Sequence, residues 1–239
     1  MEARATRPPV DLVLAMPLPR KLQDSLLASV TMLGVDRLLI TNGAKVDHSL
    51  MGFHLFRNSR KLEQNMRPGL EQSGETYLPR VSLHRRLDRL LEDLARWPDC
   101  TSEDLRFTSR SSTVLEPYSP LPSTPHAEAQ PESRLLLVAH PHSASKQRDG
   151  AGEEWSSSMY PTTKSFSQLH WPRESKGCAK RIVLAIGPER GWQEPDELDL
   201  FLEHGFQPVS LAPSIGPLRT ELALSALVSR AHEKVSLGE

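Results

Sequence analysis

The sequence predicts an α/β fold around one mostly parallel sheet, because short apolar runs alternate along the chain with segments of helical periodicity. One apolar run covers residues 10–16, and a second covers residues 37–41 and ends at Asn42-Gly43. Between them, apolar residues recur at helical spacing from residue 22 to residue 33. Two strands joined through a helix by short connections are typical of a parallel pair.

The middle of the chain continues this alternation. Residues 57–72 predict a helix that breaks or restarts at Pro68. Leucines from Leu83 to Leu94 predict a second and more amphipathic helix. Residues 134–139 form a nearly unbroken apolar run, which predicts a buried strand.

The C-terminal part predicts two more strands and two more helices. Residues 181–186 and 206–211 are the expected strands, and Pro208 favours an edge position or a strand start for the second because it lacks an amide hydrogen. Pro195 and the two acidic residues after it favour the start of a helix between them. The last helix is expected over residues 222–232. Four of its residues are expected to face the core: Leu222, Ala223, Ala226 and Leu227.

Two polar segments interrupt the predicted elements. Residues 100–133 are dominated by Ser, Thr, Pro and Glu, so we expect a flexible surface insertion. A second insertion covers residues 143–178 and contains four aromatic residues, which favour loose docking onto the domain. The sequence thus predicts a disordered tail over residues 1–9 and one domain over residues 10–239, with both insertions inside it.

Composition and charge narrow the functional classes. The formal net charge is −1, so any nucleic-acid surface has to be a local patch or be completed by a second subunit. The two cysteines, Cys100 and Cys178, form no CxxC pair, which favours a reduced intracellular compartment. No apolar run approaches the roughly 18 residues that a membrane span requires. We therefore expect no membrane association and a cytoplasmic or organellar location, in a mitochondrion or a plastid.

Two loops near the C-terminus carry the strongest functional signal. The strand at 181–186 runs into Gly187-Pro188-Glu189-Arg190-Gly191, and the strand at 206–211 runs into a loop that ends in Leu218-Arg219-Thr220-Glu221. Loops at the carboxyl ends of neighbouring strands are where open α/β sheets bind ligands. Glycines in such loops let the backbone approach a ligand closely. The plainer interpretation is that the first loop only turns the chain and that the second only caps a helix.

Other nucleotide-binding interpretations are weaker. The dinucleotide fingerprint G-x-G-x-x-G is absent from the sequence, and so is the phosphate-binding motif G-x-x-x-x-G-K-[ST]. His140 and His142 flank a proline after a predicted strand, but no third ligand is spaced to complete a metal site. We therefore expect no metal.

The Gly-Pro-Glu loop followed by Leu-Arg-Thr-Glu resembles the methyl-donor site of the SPOUT-class RNA methyltransferases. The residues of the two motifs are most similar to those of the RsmE family. Three further stretches are similar to that family. With the two insertions left out, the resemblance covers most of the chain from about residue 10 to residue 232. They are Ser29-Val-Thr-Met-Leu-Gly-Val35, Glu71-Gln-Ser-Gly-Glu-Thr-Tyr-Leu-Pro79 and Leu137-Val-Ala-His-Pro141.

The resemblance implies a SPOUT fold whose C-terminal segment is threaded into a deep trefoil knot. It implies a homodimer that binds S-adenosyl-L-methionine in the knot, with the partner subunit helping to form the substrate cleft. The implied reaction is methylation of a uridine at N3 in small-subunit ribosomal RNA. Because N3 of neutral uracil carries a proton, that proton has to leave as the methyl group arrives.

The resemblance also implies roles for particular residues. Arg219 would stabilise charge on the uracil carbonyls, and Glu221 would accept a proton or serve only the helix start. Arg190 and Arg85 are candidates for RNA contacts, although a solvated helix face explains Arg85 better. Leu211 and Leu218 could enclose an adenine, and Thr220 could cap the helix or bond the ligand. The candidate cofactor-binding residues are His140, Ile186, Gly187, Pro188, Glu189, Gly191, Leu211, Gly216, Leu218, Arg219 and Thr220.

The chain departs from the family pattern at three places. Arg190 stands where the family's loop has a glycine, which costs about 1 kcal/mol or more if that position needs a positive φ. Gly216-Pro217 lengthens the second loop, and Leu222 follows the motif where a small polar residue is common. The family begins with a β-barrel RNA-binding domain, whereas this sequence begins almost at the first SPOUT strand, and Glu75-Thr76 stands where the family tends to place an arginine.

These departures keep two alternatives open. One is a catalytically inactive SPOUT-like dimer that acts as an RNA- or ribosome-associated scaffold. The other is methylation of a different acceptor.

Overall fold

The structure is a computed structural model that describes residues 9–96, 112–115, 132–140, 163–171, 179–211 and 219–237. Its centre is one sheet of eight strands in the order β4-β3-β2-β1-β7-β5-β8-β6. Every neighbouring pair is parallel except β3 and β4, which are antiparallel. The prediction of an α/β fold with a mostly parallel sheet is therefore confirmed. The strands are β1 (Val10–Ala15), β2 (Arg37–Thr41), β3 (Arg80–His84), β4 (Ser112–Leu115), β5 (Glu132–Ala139), β6 (Lys164–Ser165), β7 (Ala179–Ile186) and β8 (Gln207–Ser210).

Helices cover both faces of the sheet, since all six residues of β1 are buried. The first helical segment begins as α1, passes through a π-helical stretch at Leu22–Leu26 and continues as α2. Three short 3₁₀ segments lie at His48–Gly52, His54–Arg57 and Phe166–Gln168. The α-helices are α1 (Pro19–Lys21), α2 (Leu27–Met32), α3 (Ser59–Ser73), α4 (Leu87–Arg96), α5 (Asp196–Glu203) and α6 (Thr220–Leu237).

Helix α3 runs through Pro68 without interruption, so the predicted break there is wrong. Tertiary packing explains the difference. A Cβ atom added at Gly69 would lie 2.2 Å from the carbonyl oxygen of Ala28, which shows how closely α3 packs on α2. Leu62 and Met66 are also fully buried on this face. Packing against α2 therefore holds the helix together past the proline.

Two sequence-based expectations about leucines are wrong. Leu83 belongs to β3 rather than to the helix that begins at Leu87, because a spacing of four residues between the two mimicked a helical repeat. Leu222 is 59% exposed instead of facing the core. Helix α6 begins at Thr220 and turns a different stripe inward. The buried apolar residues of that stripe are Leu224, Leu227, Val228 and Ala231.

Parts of the predicted insertions have regular structure. Strand β4 forms within the first insertion and pairs with β3, which the composition did not indicate. In the second insertion, β6 pairs with β8, and Phe166 and Leu169 are buried in the core. Strand β5 already begins at Glu132, inside the predicted first insertion. Residues 100–111 and 116–131 of the first insertion, residues 143–162 and 172–178 of the second, and residues 1–8 of the predicted tail lie outside the described residues.

A buried cluster of four charged residues joins the amino ends of the central strands. Arg181 on β7 donates two hydrogen bonds to Asp11 on β1, both of 2.8 Å, and also bonds Asp36 just before β2. Arg37 on β2 lies 3.9 Å from Asp11 and 3.8 Å from Asp36. Because these residues belong to three strands, the cluster fixes the parallel register in which Asp11 faces Arg37.

The knot depends on the path of residues 212–218, which lie outside the described residues, so it stays a prediction from the resemblance. Within the described ranges, no helix combines the length and apolar character needed to cross a bilayer. Likewise, no cluster of three or more His, Cys, Asp or Glu side chains among these residues could hold a metal ion.

Candidate functional site at the carboxyl edge of the sheet

The carboxyl ends of β1, β2, β5, β7 and β8 lie at one edge of the sheet, because these strands are parallel. The chain after β7, here called the β7 loop (residues 187–195), lies at the centre of this edge. Residues from the neighbouring loops and from the starts of α1 and α6 contact it. The predicted convergence of two backbone-rich loops stays a prediction, because residues 212–218 of the second loop lie outside the described residues.

The β7 loop begins with a tight turn. The amide of Gly191 donates to the carbonyl of Pro188 at 2.8 Å, and Gly191 has a φ of 68°. A Cβ atom added at Gly187 would lie 3.1 Å from the amide nitrogen of Trp192, so the loop folds back closely on its own start. The left-handed position of this turn is therefore Gly191, the residue after Arg190.

The chain after β2, here called the β2 loop (residues 42–47), is fastened to the β7 loop. The Lys45 ammonium donates to the carbonyl oxygens of Arg190 at 3.1 Å and Trp192 at 2.9 Å. Glu197, at the start of α5, accepts from the amides of Ala44 at 2.7 Å and Gln193 at 2.6 Å. The two Lys45 bonds and the Ala44–Glu197 bond join positions more than 140 residues apart in sequence.

His140, at the end of β5, closes another side of the site. Its Nε2 lies 3.1 Å from a carboxylate oxygen of Glu194, and the residue is only 9% exposed. Burial lowers the pKa of His140; Glu194 partly offsets this effect, and nearby Lys45 adds to it. The ring is therefore neutral at pH 7. Since the carboxylate can only accept, the ring donates from Nε2 and keeps Nδ1 as an acceptor.

Charged groups from α1 and α6 meet at the outer rim of the β7 loop. Lys21 forms an ion pair with Glu189. This hydrogen-bonded ammonium and, more weakly, the guanidinium of Arg219 hold the pKa of Glu189 below its usual range. The Ser25 hydroxyl donates to Glu221 at 3.2 Å. The start of α6 and the first helical segment thus lie side by side at the β7 loop.

The structure brings most of the predicted site residues to this edge. Ile186 ends β7 and Gly187 begins the β7 loop, and both are buried. Leu211 is half-buried after β8, and Thr220 is 7% exposed. Arg190, Arg219 and Glu221 are exposed to solvent. Arg85 follows β3, which β2 and β1 separate from β7, and no contact among the described residues joins it to the site. Gly216 and Leu218 lie outside the described residues.

Sequence reasoning missed the residues that tie the loops together. Lys21, Lys45, Glu194 and Glu197 were not singled out, because ordinary helix starts and polar loops contain the same residue types. Lys45 gave one usable signal, which is its place directly after a strand and an Asn-Gly turn at the ligand-binding edge. Glu197 gave no such signal, because an acidic residue at a helix start is ordinary and its burial to 8% exposure is visible only in the structure.

Some buried polar atoms at this edge have no hydrogen-bond partner in the described part of the chain. They are Oδ1 of Asn42, Nε1 of Trp192 and Oγ of Ser210. Asn42 is 5% exposed, Trp192 2% and Ser210 6%. Buried polar atoms are nearly always bonded in native proteins, so atoms like these are suited to meet a ligand or an ordered water.

The family of this chain follows from its sequence. The model of the RNA methyltransferase domain matches residues 5–138 and 109–232, which together cover nearly the whole chain. The chain therefore belongs to the RNA methyltransferase domain family. None of the curated proteins compared with the chain matches it significantly.

Solved structures show the same fold. A Legionella pneumophila protein described as a methyltransferase and solved with S-adenosylmethionine is 18% identical, with a TM-score of 0.54 over 94% of this chain and 66% of that chain. A ribosomal RNA small subunit methyltransferase E from Neisseria gonorrhoeae, bound to S-adenosylmethionine, is 19% identical, with a TM-score of 0.51 over 95% and 65%. A Porphyromonas gingivalis protein described as a probable rRNA methyltransferase is 15% identical, with a TM-score of 0.55 over 100% and 73%.

At these identities the likeness establishes the fold, which is of the SPOUT type, and not the activity. The chain spans slightly under two thirds of the length of the Legionella and Neisseria proteins.

Proposed function

We propose that this protein is an S-adenosyl-L-methionine-dependent RNA methyltransferase that methylates N3 of a uridine in small-subunit ribosomal RNA. The observation that carries the proposal is the nearness of the Arg219 guanidinium to Glu189 of the Gly187–Gly191 turn, at the carboxyl edge of the sheet in a member of the RNA methyltransferase domain family. The choice of uridine N3 rests on the resemblance of the two loop motifs to the RsmE family.

The residues of the site suit the proposed cofactor. An adenine needs apolar walls and a backbone edge, which buried Ile186, half-buried Leu211 and the glycine turn offer. The methionine part carries an ammonium and a carboxylate. The Glu189 carboxylate suits the ammonium, and the Arg219 guanidinium suits the carboxylate. The Ser210 hydroxyl, buried and unpaired among the described residues, is a further group for the ligand. When bound, the cofactor supplies a methyl group activated by its sulfonium.

The protein has to manage the proton and the charge of the uracil ring. The exposed guanidinium of Arg219 can approach the uracil carbonyl oxygens and stabilise the negative charge that grows there as N3 loses its proton. Glu221, held by the Ser25 hydroxyl, lies two residues further and is the proposed proton acceptor. Neutral His140, fixed by Glu194, completes the wall of the site.

Ribosomal RNA and a second copy of the chain are the proposed partners. Four cationic residues follow the carboxyl ends of three strands, β1, β7 and β8, and form a rim at the site: Arg20, Lys21, Arg190 and Arg219. Such a rim attracts phosphates although the whole chain is nearly neutral. Leu18 is 56% exposed and Leu222 59%, at the starts of the adjacent segments that Ser25 and Glu221 join. These exposed apolar side chains support burial in a homodimer. The trefoil knot and a cytoplasmic or organellar location complete the proposal.

The proposal is tested by donor binding and by transfer to RNA. Calorimetric titration of the full chain is expected to show saturable S-adenosylmethionine binding at micromolar concentrations. Incubation with small-subunit ribosomal RNA is expected to create one reverse-transcription stop, because a methyl group at N3 blocks the pairing edge of uridine. Arg219→Ala is expected to lower the transfer rate about 100-fold. Its stability should stay unchanged, because Arg219 is exposed.

Arg230→Ala is the matched control, since Arg230 is an exposed arginine on α6, the helix that begins directly after Arg219. RNA binding without donor binding at millimolar concentrations would support the inactive scaffold instead. Transfer without a reverse-transcription stop would point to a different acceptor atom.

A further inference from the structure

We infer that Lys45 and Glu197 are positioning residues that form a clasp between the β2 loop and the β7 loop and set the conformation of the cofactor turn. The inference rests on the proposed function for the purpose of the clasp, but the clasp itself can be measured without any ligand. Neither residue is expected to touch the cofactor. Both act through the backbone of the β7 loop.

Lys45 fixes two peptide groups on either side of Gly191. The peptide group between Arg190 and Gly191 has its carbonyl bonded to Lys45 and its amide bonded to Pro188. The peptide group between Trp192 and Gln193 has its carbonyl bonded to Lys45 and its amide bonded to Glu197. With both ends of these two groups bonded, the turn has little freedom to rotate them.

Glu197, on α5, is the second residue of the clasp and bonds both loops. It is 8% exposed, and one carboxylate oxygen accepts from the β2 loop while the other accepts from the β7 loop. Hydrogen bonds from amides to a carboxylate are among the stronger ones in proteins. A Cβ atom added at Gly43 would lie 3.3 Å from a Glu197 oxygen, so a side chain at this position would crowd the carboxylate.

The clasp has a functional consequence for a turn that binds a ligand through its backbone. A glycine-rich turn loses much conformational freedom on binding, and that loss weakens affinity unless the turn is already ordered. The clasp orders the turn in advance. Removing it should therefore weaken donor binding and raise the KM for the donor more than it lowers kcat.

The first test compares Lys45→Met, Lys45→Arg and Lys61→Met in the full chain. Methionine keeps the length of the side chain without a donor, arginine keeps donors for both carbonyls, and Lys61 is an exposed lysine on α3. Hydrogen–deuterium exchange of the peptide covering residues 187–195 is expected to accelerate about tenfold in Lys45→Met. It should stay near wild type in the other two variants. The donor Kd should rise about tenfold in Lys45→Met only.

The second test compares Glu197→Gln with Glu203→Gln, an exposed glutamate of the same helix. A glutamine can accept from one amide, but its own NH₂ group then faces the other amide, so one loop is released. Faster exchange confined to the β2 and β7 loops is expected for Glu197→Gln alone.

Unchanged exchange of the β7 loop in both Lys45→Met and Glu197→Gln would overturn the inference. So would an acceleration spread evenly over the whole chain, which would reveal general destabilisation. If the variants exchange faster at these loops while the wild-type chain binds no donor, the clasp is established and the proposed function is refuted.

Discussion

The two edges of the sheet use charged residues in opposite ways. At the amino edge, Asp11, Asp36, Arg37 and Arg181 pair with one another inside the protein, and all lie on or directly before strands. At the carboxyl edge, charged residues lie in loops and at helix starts, and they pair across segments far apart in sequence. The Lys21–Glu189 pair there leaves 36% and 50% of its side chains exposed.

This difference distinguishes an edge whose charges stabilise the fold from an edge whose charges are available to a ligand. A buried charge that loses its partner costs several kcal/mol, so the amino-edge cluster holds a single arrangement of strands. Exposed ion pairs contribute at most about 1 kcal/mol, so the carboxyl-edge loops can exchange their partners for a ligand. Lys45 and Glu197 differ from both groups of charged residues. They connect loops at the carboxyl edge, but they bond backbone groups and not charged side chains.

The largest expected effect comes from breaking the amino edge. Asp11→Ala leaves Arg181 buried without the carboxylate to which it donates two bonds. We expect the free energy of unfolding to fall by about 3–5 kcal/mol, measured by urea denaturation. The Kd for the donor of the protein that remains folded should not change, since the cluster lies at the opposite edge.

Asp24→Ala serves as the control for this substitution, because Asp24 is an exposed aspartate on the first helical segment. A loss below about 1 kcal/mol for Asp11→Ala would show that the amino-edge charges are no more structural than a surface pair.

The second largest effect is a fall in the free energy of unfolding at low pH, caused by buried histidines. Near the carboxyl ends of β3 and β5, burial keeps histidines neutral, and it lowers the pKa of His84 to about 4 from 6.5. The unfolded chain therefore binds more protons between these values, and stability falls as pH falls from 6.5 towards 4. From pH 7.5 to pH 5, His84 alone should remove about 2 kcal/mol of unfolding free energy, and His140 acts in the same direction.

Chemical denaturation of His84→Gln at both pH values measures this contribution. Glutamine cannot take up a proton and can still bond the Ser82 hydroxyl, which lies 2.9 Å from the imidazole. The loss between the two pH values should shrink by about 2 kcal/mol relative to wild type. His54→Gln, at an exposed position, is the matched control. An equal loss in His84→Gln and wild type would rule out His84 as the source.

The smallest effect concerns the cofactor turn itself. Gly191→Ala forces a side chain into the left-handed region, at a φ of 68°, although nothing lies within 4 Å of the added Cβ. We expect a loss of about 1 kcal/mol in unfolding free energy, together with weaker donor binding. Gly52→Ala is the control, because its Cβ also enters open space but without a positive φ. Equal stabilities of the two variants would mean that the turn relaxes without cost.

The sequence predicted the elements whose ends carry local signals. Strand β2 matches its predicted range of residues 37–41, since Asn42-Gly43 ends it, and α5 ends near Gly205, which has a φ of 81°. Strand β3 was missed because Leu83 and Leu87 have helical spacing by coincidence. The exposure of Leu222 escaped prediction because the rotation of α6 depends on where the helix starts. At the candidate site, the sequence indicated the two loops but none of the contacts that fasten them.

Local order along the chain determined the α/β alternation, the parallel sheet and the two glycine-rich loops, because each depends on periodicity and turn residues within a short window. Only the tertiary structure decided that α3 continues through Pro68, that Arg181 is buried between two aspartates, and that Lys45 bonds the backbone beside Gly191. Those features join residues far apart in sequence. Their free energy comes from burial and from hydrogen bonds that exist only after the strands have assembled.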